Sequence, residues 1–378
     1  MADPPPAAGA ETKSHKPHVA LIDGNTRYRM EIASAISHYY QVQEFADGRD
    51  AVVGMISRPP AVIIIDETAP PGGGGSVMVL LRSTPSFAAI PILAKAEDKS
   101  STFAIIGGTA PNCTVLAKPF KRSQLLAAIS AFVSRDIEAA WDKIEPVQQA
   151  ALKQSVAAFN EIAGLLEDGK PIPFAKVKES CAPLAQAVSD GNFKEVLKGV
   201  RGHDNYTYVH SMRVATLLSL FGYNIGIRGD DLLTLSTGGL LHDVGKMDVP
   251  QDVLNKPGRL TDEEFTIMKS HVTHTSRHLK ESLSIPRGVT TIAEQHHEKL
   301  NGKGYPFGLQ GTQLNDLARM AAITDIFSAL TDRRVYKPPV PPEKSLEIME
   351  GMTSELDQKL LGRFRGMLLD AAEGTFEA

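Results

Sequence analysis

The sequence predicts an α/β domain built on a doubly wound parallel sheet, followed by an all-α helical bundle. Short apolar runs alternate with amphipathic stretches up to about residue 133, and from Ser134 onward only the periodicity of helices remains. The chain also has 378 residues, more than a single hydrophobic core usually organises. We therefore expect two domains of different class, connected by helices.

Four apolar runs in the first part of the chain have the length and composition of buried strands. They lie at residues 18–22, 61–65, 91–93 and 114–117. Amphipathic stretches with helical period are found at residues 28–37, 49–57 and 123–132. Strands that are apolar throughout and separated by helices are typical of a parallel sheet covered on both faces. We place this domain at residues 18–133.

The rest of the chain shows helical period between breaks rich in Gly and Pro. Helices are predicted at residues 137–166 (as one helix or two), 174–189, 210–221, 230–242, 261–279, 287–297, 315–331 and 342–361. Thr261 and Glu264 form a capping box that begins one of them. We assign residues 134–195 to a helical linker with leading helices, and residues 196–378 to the second domain.

Composition argues against several classes of protein. No apolar run approaches the roughly 20 residues that a bilayer span needs. Residues 1–17 lack the apolar segment of a secretory signal, and we expect them to be a disordered tail. With only two cysteines, Cys113 and Cys181, we expect no disulfide and a reducing, cytoplasmic location. The net charge of −4 gives no support for binding a nucleic-acid polymer.

Histidine and aspartate residues of the second domain form the pattern with the most chemical content. Their side chains hold iron, manganese or zinc without thiolates. Asp243 ends one apolar helix and Asp325 follows apolar residues of another, so both carboxylates are expected to be buried, which is costly unless they are paired or bound to metal. Two adjacent pairs of such residues can each reach two ions, which suggests a binuclear site. The candidate ligands are His210, His242, Asp243, His271, His296, His297 and Asp325.

Two motifs in this region resemble the HD-GYP domain, a branch of the HD metal-dependent phosphohydrolases. They are His242-Asp-Val-Gly-Lys246 and His296-His-Glu-Lys-Leu-Asn-Gly-Lys-Gly-Tyr-Pro306, within a resemblance that spans roughly residues 202–337. The resemblance implies that the seven candidates are the metal ligands and that Asp243 bridges two ions. Some members hold a third ion with a glutamate where this chain has Tyr206, so we expect two ions, with iron favoured and manganese as the alternative.

The substrate that the resemblance implies is the bacterial second messenger cyclic di-GMP. A metal-activated hydroxide would open it to linear pGpG, and in some members of the family hydrolysis continues to GMP. Lys246 would place a cation beside the phosphate, although a lysine at the end of a helix is also favoured by the helix dipole. Asp204 matches a family position near the metals, and with Asp243 and Lys246 it completes the predicted catalytic residues.

The predicted substrate contacts follow the last metal ligand and include the Gly-Tyr-Pro segment. Arg334, Tyr336 and Lys337 match a basic segment of the family, and such cations suit phosphate and guanine. Tyr305 could stack on a purine, or its turn could instead shape the pocket and a surface on which a partner docks. A GGDEF-type protein, another protein partner and a second copy of the chain are the candidates for such docking.

The first domain resembles a response-regulator receiver domain. Asp66 matches the phospho-acceptor and Lys118 the phosphate-contacting lysine, while Asp23 is the only acid at the position where receivers bind Mg²⁺ through an acidic pair. We also expect alanine, around residues 94–96, to replace the hydroxyl that senses the phosphoryl group. These departures put Mg²⁺ binding in doubt. They leave open a domain phosphorylated by a sensor kinase and a degenerate receiver used for dimerisation or protein contact.

The leading hypothesis is therefore a metal-dependent cyclic di-GMP phosphodiesterase that is regulated by a receiver-like domain. The alternative is a catalytically silent module that senses cyclic di-GMP or docks proteins, and a third hypothesis is a phosphohydrolase acting on another nucleotide. The presence of every ligand position favours the enzyme over the silent module. The intact Gly-Tyr-Pro segment favours cyclic di-GMP over other nucleotides.

Overall fold

The computed structural model describes residues 16–37, 39–201, 203, 205–254, 256, 258–282, 284–332 and 339–373. Of the predicted tail, residues 1–15 lie outside the described residues. The described chain forms an α/β domain followed by a helical domain, which confirms the predicted fold class. Within the described residues, no helix combines the length and the apolar character that a membrane span requires.

Five parallel strands form one sheet in the order β2-β1-β3-β4-β5. The strands are β1 (His18–Ile22), β2 (Gln41–Phe45), β3 (Val62–Asp66), β4 (Ile92–Ala96) and β5 (Cys113–Ala117). The three central strands, β1, β3 and β4, are buried along their whole length. Most of their residues are apolar, as a sheet covered on both faces requires, and the exceptions are His18, Asp66 and Lys95.

Helices cover the sheet on both faces and create two hydrophobic cores. They are α1 (Thr26–Ile36), α2 (Gly48–Met55), α3 (Gly74–Ser83), α4 (Thr102–Thr109) and α5 (Arg122–Val133). Because successive residues of a strand point to opposite faces, Val19 and Leu21 join one core with α1 and α5, whereas Ala20 and Ile22 join the other with α2, α3 and α4. The domain is therefore doubly wound.

The described residues of the second part of the chain form helices joined by loops, with one isolated antiparallel bridge between Asn301 and Gln310. Its α-helices are α6 (Arg135–Ala140), α7 (Pro146–Glu167), α8 (Phe174–Ser189), α9 (Phe193–Val200), α10 (Tyr206–Asn224), α11 (Gly229–Leu241), α12 (Gln251–Leu254), α13 (Asp262–Glu281), α14 (Arg287–Gln295), α15 (Asp316–Thr331), α16 (Pro342–Glu350) and α17 (Gln358–Glu373). One large apolar core joins most of these helices. The predicted capping box of Thr261 and Glu264 is present at the start of α13.

The prediction of one helix over residues 342–361 is wrong, because α16 and α17 are separate helices. Gly351 ends α16, and the carboxylate of Asp357 accepts hydrogen bonds from the backbone N–H groups of Lys359 and Leu360 at 3.1 and 3.0 Å. A carboxylate that binds the free N–H groups of a first turn begins a new helix. The sequence period continues across the break, so the break itself was not visible in the pattern.

The two domains are in contact through α5, α7 and the segment after the His242-Asp243 pair. The Tyr39 hydroxyl donates to Gln251 Oε1 at 2.8 Å, and Lys121 Nζ lies 2.6 Å from Asp168 Oδ1. A cavity of about 370 Å³ lies at this junction, and Lys246 is among the residues that line it. The receiver-like domain therefore borders the surroundings of the predicted catalytic site.

Candidate metal centre

The structure brings all seven predicted ligands together from five helices or the residues that directly follow them. They form three groups, and in each group the ligand atoms lie within 4.8 Å of one another. The groups are His271, His296 and His297; His210, His242 and Asp325; and His242, Asp243 and His296. Because His242 and His296 each belong to two groups, the cluster is continuous. Such convergence of side chains from several helices is how bundle cores build metal sites.

Backbone carbonyl groups orient three of the histidine rings. The Nδ1 atoms of His242, His271 and His296 lie 2.8, 2.6 and 3.0 Å from the carbonyl oxygens of Gly239, Met268 and Ala293. A carbonyl can only accept, so these contacts assign the ring proton to Nδ1 and leave the lone pair on Nε2. In its neutral form, each ring therefore points a lone pair into the cluster, which is the arrangement that a metal ligand needs.

Four buried atoms at the middle of the cluster have no hydrogen-bond partner among the residues that the structure describes. They are the Nε2 atoms of His242, His271 and His296 and the Oδ1 atom of Asp243. Leaving a buried polar group unsatisfied costs about 1–3 kcal/mol, so four together would be a large penalty in a purely structural cluster. A divalent cation with nitrogen and oxygen ligands would satisfy all four. The residues therefore fit a metal centre.

The carboxylate of Asp243 lies between two sets of histidines. Its Oδ1 atom is 3.3 Å from His271 Nε2 and 3.8 Å from His296 Nε2. Its Oδ2 atom is 3.1 Å from His242 Nε2 and 3.5 Å from His210 Nε2. Each oxygen thus faces a different set of ring nitrogens, which is the position expected of a bridging carboxylate.

Burial and charge set the protonation of the cluster. Burial lowers the pKa of His271 to about 3 and that of His297 to about 4, so both rings are neutral near pH 7. Burial also opposes protonation of His242, but the negative charges of Asp243 and Asp325 raise its pKa to about 9. The two carboxylates therefore attract a positive charge to the side of the cluster on which His242 lies.

Two residues that the sequence interpretation missed hold His210 in place. Asp332 Oδ2 lies 2.9 Å from His210 Nδ1, and the guanidinium of Arg213 pairs with Asp332. His210 Nε2 then faces Asp325 Oδ1 at 3.0 Å. Asp332 follows Asp325 by seven residues, or two helical turns. This spacing in the sequence would indicate that both side chains lie on the same side of α15. A carboxylate behind a ligating histidine fixes its ring and increases its basicity.

The turn after His242 is packed tightly against α13. The backbone N–H of Gly245 donates to Thr275 Oγ1 at 2.9 Å, and that hydroxyl lies 3.2 Å from the His242 carbonyl oxygen. A Cβ atom on Gly245 would lie 2.1 Å from the carbonyl oxygen of His271. Glycine is therefore required here, because any side chain would push the His242-Asp243 pair away from His271.

Lys246 lies beside the cluster, as predicted. Its ammonium group pairs with Asp243, and its side chain is 20% exposed. It also lines the cavity at the domain junction. Lys246 is therefore a cation at the border between the buried ligands and open space.

The Gly-Tyr-Pro loop forms one wall of the site. The Tyr305 ring lies 4.7 Å from the His297 ring, centroid to centroid, and burial raises the pKa of its hydroxyl, which stays protonated. The loop is anchored by Glu298, a buried residue that the sequence interpretation missed. The Glu298 carboxylate accepts hydrogen bonds from three successive backbone N–H groups, those of Phe307, Gly308 and Leu309, at 2.7, 3.1 and 2.9 Å. Tyr305 is thus held at the edge of the cluster.

Four predicted site residues have no structural description. Asp204 and the basic segment with Arg334, Tyr336 and Lys337 lie outside the described residues. Their roles remain predictions from the resemblance.

In the receiver-like domain, Asp23, Asp66 and Lys118 come together as predicted. Lys118 Nζ lies 2.9 Å from Asp66 Oδ2. The expectation that alanine from residues 94–96 faces Asp66 is wrong, because the strand register pairs Asp66 with Lys95. The Lys95 side chain is buried, with its Nζ atom 3.0 Å from Asp66 Oδ2, and it also pairs with Asp23.

Comparison with known proteins identifies the helical domain. Residues 201–360 match the HD domain family. The chain is 40% identical over 134 residues to a cyclic di-GMP phosphodiesterase of Pseudomonas aeruginosa, covering 35% of this chain and 32% of that protein. It is 38% identical over 145 residues to 3'3'-cGAMP-specific phosphodiesterase 3 of Vibrio cholerae, covering 38% and 31%. The chain thus spans about a third of the length of these two relatives.

A third relative is matched across both domains. The chain is 28% identical over 267 residues to the cyclic di-GMP phosphodiesterase response regulator RpfG of Xanthomonas campestris pv. campestris, and the match covers 68% of this chain and 62% of that protein. The HD domain match, the ligand cluster and the Gly-Tyr-Pro wall agree with one another. Together they support the resemblance of residues 201–360 to an HD domain of the HD-GYP type that follows a receiver-like domain.

Proposed function

We propose that the chain is a metal-dependent phosphodiesterase that hydrolyses cyclic di-GMP to linear pGpG. The observation that carries this proposal is the set of four buried, partnerless ligand atoms of His242, Asp243, His271 and His296. Relatives of the same domain are named as cyclic dinucleotide phosphodiesterases. The cluster thus contains unpartnered atoms that cations would satisfy, and it lies in a domain whose relatives are named as cyclic dinucleotide phosphodiesterases.

Two cation positions are supported by the grouping of the ligands. His271, His296 and His297 would hold one ion, and His210, His242 and Asp325 the other. Asp243 would serve both, since its two oxygens face different sets of histidines. The ligand set has imidazole and carboxylate groups without thiolate, which suits iron, our first choice, or manganese.

The residues around the ligands have separate roles in the proposed reaction. When bound, a pair of divalent cations lowers the pKa of water and stabilises the oxygens of the phosphoryl group. The Lys246 ammonium, beside Asp243 and partly exposed, would bind the phosphate or the leaving oxygen. The Tyr305 ring would bound the pocket on the side of His297 and offer a face to guanine. Asp332 would keep the His210 ring in its orientation.

The activity test uses the full chain loaded anaerobically with Fe²⁺ or Mn²⁺. Cyclic di-GMP, 3'3'-cGAMP and linear pGpG are supplied separately, and the products are separated by nucleotide chromatography. We expect cyclic di-GMP to be converted to pGpG faster than 3'3'-cGAMP is opened. Turnover of 3'3'-cGAMP alone would move the specificity to the other cyclic dinucleotide. Metal-loaded protein that binds cyclic di-GMP and hydrolyses none of the three would instead be the silent sensing module.

A further inference from the structure

The acidic pocket of the receiver-like domain lies at the carboxyl ends of β1 and β3. The Asp23 side chain is fully buried and that of Asp66 is 2% exposed. Two buried carboxylates this close to one another repel unless a positive charge lies between them. The pocket therefore requires a positive charge close to both carboxylates.

Lys95 supplies that charge from within the chain. Strand β4 pairs with β3 so that Lys95 stands opposite Asp66, and its ammonium contacts both carboxylates. The Lys95 side chain is itself only 2% exposed. A lysine buried to this degree is stable only where its charge is compensated, so Lys95 and the two acids depend on one another.

Every carboxylate oxygen of the pocket has a partner. Asp23 Oδ1 accepts the Asn25 backbone N–H at 2.8 Å, and Asp23 Oδ2 pairs with Lys95. Asp66 Oδ1 accepts the backbone N–H and the hydroxyl of Thr68 at 2.9 and 2.6 Å. Asp66 Oδ2 lies within 3.0 Å of the ammonium groups of both Lys95 and Lys118. Each of the four oxygens therefore has a hydrogen-bond or ion-pair partner among the described residues, and for Asp66 Oδ2 the partners are the two ammonium groups alone.

The two buried carboxylates face two ammonium groups without an added ion. The exposed carboxylate of Glu97 is a third acid at the rim, and its Oε1 lies 2.5 Å from Lys118 Nζ. A divalent cation could reach Asp23 and Asp66 only by displacing the Lys95 ammonium, which would then be a buried charge without its partners. The same ammonium lies 3.0 Å from Asp66 Oδ2, so a phosphoryl group transferred to this oxygen would have to compete with it.

We propose that Lys95 is the resident cation of the Asp23 and Asp66 pocket, in the place of a divalent metal ion, and that the pocket therefore excludes Mg²⁺ and phosphoryl transfer to Asp66. The proposal concerns the first domain alone and does not depend on the proposed hydrolysis. Of the two interpretations of this domain, the proposal favours the degenerate receiver. Such a domain is not phosphorylated and acts through dimerisation or protein contact.

The test uses beryllofluoride, which mimics a phosphoryl group on aspartate when Mg²⁺ is present. The full chain is mixed with Mg²⁺, beryllium and fluoride, and bound fluoride is observed by ¹⁹F NMR. Wild-type protein and Lys95→Arg are expected to show no bound signal. Lys95→Thr, which removes the ammonium, is expected to gain a Mg²⁺-dependent signal that disappears in Lys95→Thr/Asp66→Asn.

Two results would overturn the proposal. One is a bound signal in the wild-type protein that is lost in Asp66→Asn. The other is a folded Lys95→Thr protein, checked by circular dichroism, that still shows no bound signal, because Lys95 would then not be what excludes the ligand. Lys95→Met, which keeps the apolar stem without the charge, replaces Lys95→Thr if that variant fails to fold, and it is judged by the same two outcomes.

Discussion

The protein contains two buried clusters of ionisable side chains that differ in one physical respect. In the receiver-like domain, both carboxylates are fully partnered, and two lysines neutralise them. In the HD domain, three ring nitrogens and one carboxylate oxygen meet in the interior without a hydrogen-bond partner. In the first cluster, charged groups of the chain neutralise one another, and we call it the complete cluster. The second needs added cations to pair its inward-facing atoms, and we call it the incomplete cluster.

The comparison shows why acid content alone does not identify a metal site. Both clusters are built at the ends of regular elements, and each contains a buried carboxylate of low pKa. Burial opposes the ionisation of Asp66, but hydrogen bonds from Thr68 and the charges of Lys95 and Lys118 lower its pKa to about 2. In the HD domain, burial likewise opposes the ionisation of Asp243, and neighbouring positive charges hold its pKa well below the ordinary value. Asp66 Oδ2 also lacks a hydrogen-bond partner among the described residues, but two ammonium groups lie within 3.0 Å of it. Asp243 Oδ1, in contrast, faces the unpartnered ring nitrogens of His271 and His296, and this difference marks the site that needs a ligand.

The largest expected effect comes from removing a central ligand of the incomplete cluster. We predict that His242→Ala and Asp243→Ala each abolish hydrolysis and bound metal, because His242 belongs to two ligand groups and Asp243 faces both sets of histidines. Activity is measured by nucleotide chromatography and metal by elemental analysis. The matched control is His274→Ala on the same helix as His271, since His274 belongs to no ligand group of the described residues. Full activity in His242→Ala would contradict the assignment.

In the complete cluster, removing the charge of Lys95 should destabilise the protein, and this effect does not involve any of the metal-ligand residues. We predict that Lys95→Met lowers the free energy of unfolding by about 3–5 kcal/mol, since it leaves Asp23 and Asp66 as buried charges facing each other. Denaturant unfolding followed by circular dichroism measures the change. Adding Asp23→Asn should recover part of the loss. A Lys95→Met protein as stable as wild type would show that the lysine is not the counter-ion.

The pKa of Asp66 predicts a specific dependence of stability on acid. Its folded-state pKa of about 2 lies below the ordinary 3.8, so the ionised group stabilises the fold above pH 4, and this contribution is lost as pH falls toward 2. The loss amounts to about 2 kcal/mol. The groups that face Asp66 are Asp23, Lys95 and Lys118. Asp66→Asn should therefore lose less stability than wild type between pH 5 and pH 2, and equal losses would contradict the shift.

The smallest predicted effect tests the support behind a ligand. Asp332→Asn keeps the shape of the side chain behind His210 but removes its charge, so we expect metal affinity to fall about tenfold. Competition with a chelator measures the affinity. Asp252→Asn, an exposed substitution near α12, is the control and should bind metal as wild type does. An unchanged affinity in Asp332→Asn would remove this residue from the site.

The elements that the sequence predicted are those whose signal is local. Strands β1, β3 and β4 are mostly apolar because both faces of the sheet are covered, and their apolar runs are visible in the sequence. Strand β2 lies at the sheet edge, is only partly buried and alternates polar residues, so it gave no such run. Helix α4 exposes Ile105 and Ile106, which removes the amphipathic contrast that marks a helix.

The site also contains residues that have a local signal in the sequence and residues that have none. The ligand candidates were found because adjacent His-Asp and His-His pairs at the ends of apolar helices are unusual in the sequence itself. Glu298 and Asp332 carry no such local signal, since their importance comes from the loop and the histidine ring that they hold in three dimensions. Lys95 was missed because strand pairing, which the sequence does not reveal, determines that it stands opposite Asp66.

The central claim is that the HD cluster is completed by two cations. Elemental analysis of the freshly purified full chain, supplied anaerobically with Fe²⁺ or Mn²⁺, tests it most directly. We predict about two ions per wild-type chain and a near-complete loss in His242→Ala. A correctly folded wild-type protein that retains well under one ion per chain, or a His242→Ala protein that retains as much metal as wild type, would contradict the account.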